Sequence, residues 1–81
     1  MEDAILARLT EIFREVFGER SLSLSRETTA SDIKGWDSLA HITLMLSVQR
    51  AFRVRLSAAE TSQLKDVGTL ADLLGSKQRR S

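Results

Sequence analysis

Gly35-Trp36-Asp37-Ser38-Leu39-Ala40-His41-Ile42 opens an amphipathic run that extends to Phe52. Gly35 allows a bend, Asp37 is suited to the N-cap, and Ser38 then becomes the first residue inside a helix. A serine at that point projects its hydroxyl from a helix N-terminus. The unpaired backbone N–H groups and the positive end of the dipole favour a phosphate there.

Upstream, Ile5, Leu6, Leu9, Ile12, Phe13, Val16 and Phe17 fall on one face of a helix spanning Asp3 to Phe17. Its length is roughly 22 Å at the usual rise per residue. Glu2 and Asp3 complement its positive end, and Gly18 is the natural stop. Residues 19–36 form a long connection in which Leu22 or Leu24, together with Ile33, is expected to pin the chain across the helices. The alternation at Leu22 and Leu24 could be a short strand, but nothing nearby offers a partner. A loop of this length in a small domain tends to be functional.

The second helix, Ser38 to Phe52, is apolar around much of its girth. Leu39, Ile42, Met45 and Leu46 are expected to form the main inward stripe, with Leu44 and Val48 widening it and Thr43, Ser47 and Arg50 facing out. Arg50, Arg53 and Arg55 lie near its negative end, where cations are favourable; the same arginines are candidates for partner binding. Val54 and Leu56 dock the turn that follows. Ser57-Ala58-Ala59-Glu60 has the spacing of a capping box and opens a short helix ending near Leu64. Asp66 then caps a last helix, Val67 to Leu74, with Val67, Leu70, Leu73 and Leu74 inward and Gly75 ending it. The fold expected is all-α: three main helices and one short helix over residues 1–75, followed by a disordered basic tail, 76–81.

Composition narrows the function classes. Eighty-one residues form one domain that buries only about 60–65% of its extended-chain surface, with little room for an enzyme cavity. The absence of cysteine excludes disulfides, thiolate metal sites and a cysteine nucleophile. The single histidine cannot build a multi-histidine metal site. No apolar run approaches the roughly 20 residues of a membrane span, and the acidic start is unlike a signal peptide, so a cytoplasmic location is expected. A net charge of +1 gives no case for nucleic acid, and neither stacking aromatics nor a recognition helix accompanies the basic residues.

The Gly35–His41 motif, with Phe52, Leu56, Glu60 and Val67-Gly68-Thr69-Leu70 at their spacings, resembles the acyl carrier proteins over roughly residues 3–75. The resemblance implies a carrier, not an enzyme, with a 4′-phosphopantetheine arm on Ser38 and Asp37 and Leu39 as motif flanks. A phosphopantetheinyl transferase would supply Mg²⁺, coenzyme A and the base; Ser38 would attack the phosphorus and release adenosine 3′,5′-bisphosphate. The thiol of the arm would then carry acyl groups as thioesters between loading and accepting enzymes. Leu39, Ile42, Leu46, Leu56 and Leu64 are candidates to lie beside the arm, although apolar residues at helical spacing are more often core.

Two other readings of Ser38 compete. Serine is common at helix starts for capping reasons alone. A catalytic reading would use His41 as base and Asp37 as orienter, but these would have to share a cap and a turn, without a nucleophile elbow or a second loop to stabilise an oxyanion. The resemblance is to a stand-alone acyl carrier of a specialised, polyketide-like pathway more than to peptidyl carriers, which commonly show Gly-Gly-x-Ser-Leu. A carrier-like interaction module without an arm is the other alternative.

In one respect the chain departs from the family. Many carriers have an acidic second helix, whereas residues 37–55 here hold one carboxylate against three arginines, a formal charge of +2. Dedicated partners are therefore expected to read Trp36, Leu39, Thr43, Met45, Ser47, Arg50, Arg53 and Arg55. Trp36 is also expected to act as a hydrophobic staple. No metal, nucleic acid or membrane enters this reading, and the protein is expected to be a monomer.

Overall fold

The computed structural model describes the backbone from Glu2 to Arg80 and the side chains of residues 4–78. Four α-helices follow in order, α1 (Glu2–Phe17), α2 (Ser38–Phe52), α3 (Ala58–Ser62) and α4 (Val67–Arg80), with a 3-10 turn at Ala30–Asp32 before α2. Among the described residues there is no strand. This is the expected all-α bundle of three main helices and one short one.

On α1, Leu9 and Phe13 are fully buried and their apolar neighbours half-buried against the same core. Gly18 turns out of the helix at φ 65°, and Glu19 N–H closes on Arg14 O at 3.1 Å. The side chains of Glu2 and Asp3, expected at the positive end of α1, lie outside the described residues.

The connection between α1 and α2 is held along its length. Leu22 and Leu24 are both half-buried on the core and Ile33 is buried, so all three candidate anchors are used. Arg14 Nε donates to Leu22 O at 2.7 Å. The Asp32 carboxylate accepts from Thr29 N–H at 2.9 Å, which fixes the 3-10 turn. The loop also serves α4: Thr28 O accepts from Val67 N–H and Arg26 O from Gly68 N–H, each at 2.8 Å. Together with Asp66 Oδ1, which accepts from Thr69 N–H at 2.8 Å, they satisfy N–H groups that a helix start leaves unpaired.

The structure turns α2 away from part of the expected inward stripe, keeping Met45, Leu44 and Val48 inside and Thr43 and Arg50 outside but exposing Leu39, Ile42 and Leu46. Leu44, Met45, Val48 and Phe52 are buried, whereas Leu39, Ile42 and Leu46 are 74%, 58% and 55% exposed. Two stripes of nearly equal hydropathy run along this helix. The inward one continues to Phe52, and its first turn holds half-buried His41, so it joins the aromatic cluster at one end and the core at the other. Leu39, Ile42 and Leu46 cannot reach either.

After Phe52, Arg53 takes a left-handed conformation at φ 55° and closes α2. Gln49 then pins the exit, its Oε1 accepting from Leu56 N–H at 3.0 Å. The Ser57/Glu60 capping box forms as its spacing predicts. No residue of α3 is buried, so polar ties hold it. One is the Lys77–Glu60 ion pair at 3.0 Å.

The last helix also differs from expectation at its end. Val67, Leu70, Ala71 and Leu74 are buried and Leu73 half-buried, but Gly75 does not end α4, which runs on to Arg80. Gly75 has no positive φ, and the added turn carries Lys77 to Glu60. Residues 76–80 are therefore helical and not a disordered tail; Ser81 and the side chains of Arg79 and Arg80 lie outside the described residues.

Candidate functional site

Chain reversal ahead of α2 depends on Gly35, at φ 92°, a conformation costly for residues with a Cβ. The turn is closed by Trp36 N–H to Ile33 O at 3.3 Å and Asp37 N–H to Gly35 O at 3.0 Å. Asp37 is extended and occupies the N-cap. Its Oδ1 accepts from Ala40 N–H at 2.8 Å, and its carbonyl accepts from His41 N–H at 2.9 Å. Ser38 and Leu39, the first two residues of the helix, have N–H groups with no intrahelical acceptor. Ser38 is exposed. An exposed hydroxyl thus stands beside backbone donors and the positive dipole end, as the sequence indicates.

Trp36 fixes the motif from beneath. It packs edge-on to Phe13 with centroids 5.3 Å apart and lies 6.1 Å from Phe17. On its other side it stacks on His41 at 6.0 Å with an interplanar angle of 17°. Its Nε1–H donates to His41 Nδ1 at 3.1 Å. An accepting Nδ1 places the proton of the neutral ring on Nε2, which then donates to Thr61 O at 3.3 Å. The expected role as a hydrophobic clamp is what these contacts describe, and they extend it: one tryptophan and one histidine tie α1, the start of α2 and α3 together.

Both ring nitrogens of His41 are thereby committed, and Asp37 is committed to its cap. Neither can act as base or orienter for Ser38, so the arrangement lacks the elements of nucleophilic catalysis. Among the described residues no group of three or more His, Cys, Asp or Glu side chains could hold a metal ion.

Two clefts flank the inward side of α2. One, about 280 Å³, is lined by Ala30, Trp36, His41, Thr61, Leu64 and Leu70, among others. The second, about 170 Å³, lies between α2 and α3 along Ile42, Met45, Leu46, Gln49, Leu56 and Thr61. Of the residues expected beside an arm, Ile42, Leu46, Leu56 and Leu64 border these clefts, while Leu39 faces solvent.

No protein-family model matches the chain. Over 73 residues, 90% of this chain and 87% of the relative, it is 30% identical to the acyl carrier protein of Acidothermus cellulolyticus. The chain belongs to the acyl carrier protein family. Its fold agrees with that of a solved holo acyl carrier protein from Geobacter metallireducens, with a TM-score of 0.87 and 45% identity over 93% of this chain and 86% of that one. Proteins of the acyl carrier family are carriers and not catalysts, in keeping with the committed His41 ring.

The remaining residues expected to meet partners of such a carrier divide by exposure. Thr43, Arg50, Arg53 and Arg55 are exposed, and Ser47 is half-buried, on a groove shared with Arg8, Glu11, Glu15 and Arg50. Met45, 4% exposed, is a core residue and not a partner contact, because its turn of α2 carries the inward stripe. Thr61 was not indicated by the sequence, since a backbone carbonyl twenty residues from His41 leaves no motif. Gly68 belongs to the Val67–Leu70 motif that the sequence offers, but its role in letting α4 approach the loop at Arg26 O is visible only in the structure.

Proposed function

We propose that this protein is a stand-alone carrier of acyl intermediates, held as thioesters on a 4′-phosphopantetheine arm at Ser38, in a specialised, polyketide-like biosynthetic pathway. The observation that carries the reading is the exposed Ser38 at the capped start of α2, in a chain 45% identical to a holo acyl carrier protein.

The residues present suit such an arm. A phosphodiester on Ser38 Oγ would have the Ser38 and Leu39 N–H groups close by at the positive end of α2. Asp37 keeps its own carboxylate engaged with Ala40 N–H, which holds the first turn in shape. The arm supplies a thiol, which the cysteine-free chain lacks. In the modification Ser38 Oγ forms the new bond to phosphorus, adenosine 3′,5′-bisphosphate leaves, and the serine proton passes to a base of the transferase. The chain needs only to present the hydroxyl. Partners on this reading are a phosphopantetheinyl transferase and the enzymes that load and unload the acyl group, acting in the cytoplasm. The folded unit extends at least to Lys77, whose ion pair holds α3.

The test is intact-protein mass after incubation with coenzyme A, Mg²⁺ and a broad-specificity transferase. A gain of one phosphopantetheine group by the wild type, with none by Ser38→Ala, is the expected result. No gain by folded, unmodified wild type with either this enzyme or a transferase of the native pathway would refute it.

A further inference from the structure

Trp36, His41 and Thr61 are all half-buried, and His41 is the central member of the two hydrogen bonds that join them. Those bonds differ in what they ask of the imidazole. Thr61 O needs a donor, which Nε2 supplies whether the ring is neutral or protonated. The Trp36 indole N–H, with its nitrogen 3.1 Å from Nδ1, needs an acceptor, and only the neutral ring has one. An indole nitrogen can only donate, so the two rings cannot exchange roles. A proton on Nδ1 therefore sets one N–H against another. Because histidine changes charge near neutrality, the tie between Trp36 and α2 responds to mild acid, and the tie between α2 and α3 does not.

The charged groups around the ring do not relieve that conflict. Asp37, one turn back on α2, accepts from Ala40 N–H. Lys65 and Asp66, between α3 and α4, line the same cleft as the ring. Asp66 is engaged by the Thr69 N–H and hydroxyl, and Lys65 opposes a second cation. On α3, Glu60 is paired with Lys77. From α4 the cleft takes Leu70, and α1 meets Trp36 through Phe13 and Phe17, so neither adds a charge. The positive end of α2 also disfavours a cation in its first turns.

We propose that His41 is a proton-operated latch on the cleft beneath the start of α2. Neutral, it holds the indole as one wall of that space of about 280 Å³. When Nδ1 takes a proton from solvent, the indole is released while α3 stays tied through Thr61 O, so the cleft opens at Trp36 and the bundle remains folded. The latch lies beyond the carrier reading and operates whether or not Ser38 is modified, so the unmodified full chain is the sample to test.

The chain has one histidine and one tryptophan, so heteronuclear NMR reads each ring without ambiguity. At the alkaline end of a titration from about pH 8 to about pH 5, His41 should carry its proton on Nε2 and none on Nδ1. As Nδ1 is protonated, the Trp36 indole proton resonance should shift upfield in step. The ratio of released to bound indole should rise about tenfold per pH unit, the steepness of one proton, with far-UV circular dichroism unchanged. His41→Gln, whose amide accepts and donates without titrating, should hold the indole resonance fixed. Trp36→Phe removes the opposing N–H, and the fall in melting temperature that the wild type shows over the same titration should be lost. A proton on Nδ1 at the alkaline end, an indole resonance indifferent to protonation of His41, or a shift that survives His41→Gln overturns the proposal. So does loss of helical signal in step with the shift, which makes the event global unfolding, or a Trp36→Phe protein whose melting temperature falls as steeply as that of the wild type.

Discussion

Leu44 and Leu46 lie two residues apart on α2 and have the same side chain, so truncating each in turn isolates the effect of facing. Leu44 is 0% exposed and Leu46 is 55% exposed. Leu44→Ala removes the transfer energy of the lost carbons and leaves a cavity, a cost of about 3 kcal/mol. Leu46 is less than half buried and can leave no closed cavity, so its truncation should cost about 1 kcal/mol or less. Against a total stability of roughly 4–12 kcal/mol for a chain of this size, the first change is severe and the second mild. The corresponding falls in melting temperature are about 12–24 °C and at most about 4–8 °C. Urea unfolding followed by far-UV circular dichroism measures both, with unchanged m-values showing that the transition remains comparable. Equal costs, or a greater cost at Leu46, would mean that α2 faces the other way.

Gly68→Ala should also destabilise, although alanine is the better helix former. Its Cβ would stand 2.9 Å from Arg26 O, a backbone atom that cannot swing aside. The loss expected is about 1–3 kcal/mol, with faster hydrogen exchange at the Gly68 amide as its bond to Arg26 O lengthens; unchanged stability and exchange would refute it. The acid response should trace to two caps. Glu60 is held below its ordinary value of 4.5 chiefly by the Ser57 backbone N–H and then by Lys77. Asp66 is held below 3.8 chiefly by the Thr69 backbone N–H and then by its hydroxyl. Lowered carboxyl values in the folded state give stability that is present above the ordinary values and is lost as pH falls through the lowered ones. Glu60→Gln/Asp66→Asn should therefore flatten the fall in melting temperature on acidification below about pH 4.5. An unaltered slope would assign acid sensitivity to other groups.

Much of this architecture was legible where the signal was local. Asp37 before Ser38, Ser57 before Glu60 and Asp66 before Thr69 each satisfy backbone donors within three residues, so sequence alone locates these helix starts. The bounds of α2 followed for the same reason, but its facing did not. Leu39, Ile42 and Leu46 are as apolar as Leu44, Met45 and Val48, and the choice between the stripes is made by packing on α1, whose Phe13 and Phe17 lie far away in sequence. The spacing of His41, Leu44, Met45, Val48 and Phe52 was the available clue, since that stripe alone continues to the aromatic that closes the helix. Gly75 misled because glycine after an apolar run usually stops a helix, whereas the Lys77–Glu60 pair that rewards another turn spans two elements. The motif serine was readable; the Trp36–His41–Thr61 bridge that steadies it was not.

The chain contains one tryptophan and no tyrosine, so every photon it emits on ultraviolet excitation near the red edge of protein absorption comes from Trp36. That indole lies against His41 and borders a cleft beneath the start of α2. The molecule therefore has an intrinsic optical probe two residues from Ser38, and unfolding, or any group or partner that comes to rest at the start of α2, can be followed in unlabelled protein through the colour and brightness of a single ring.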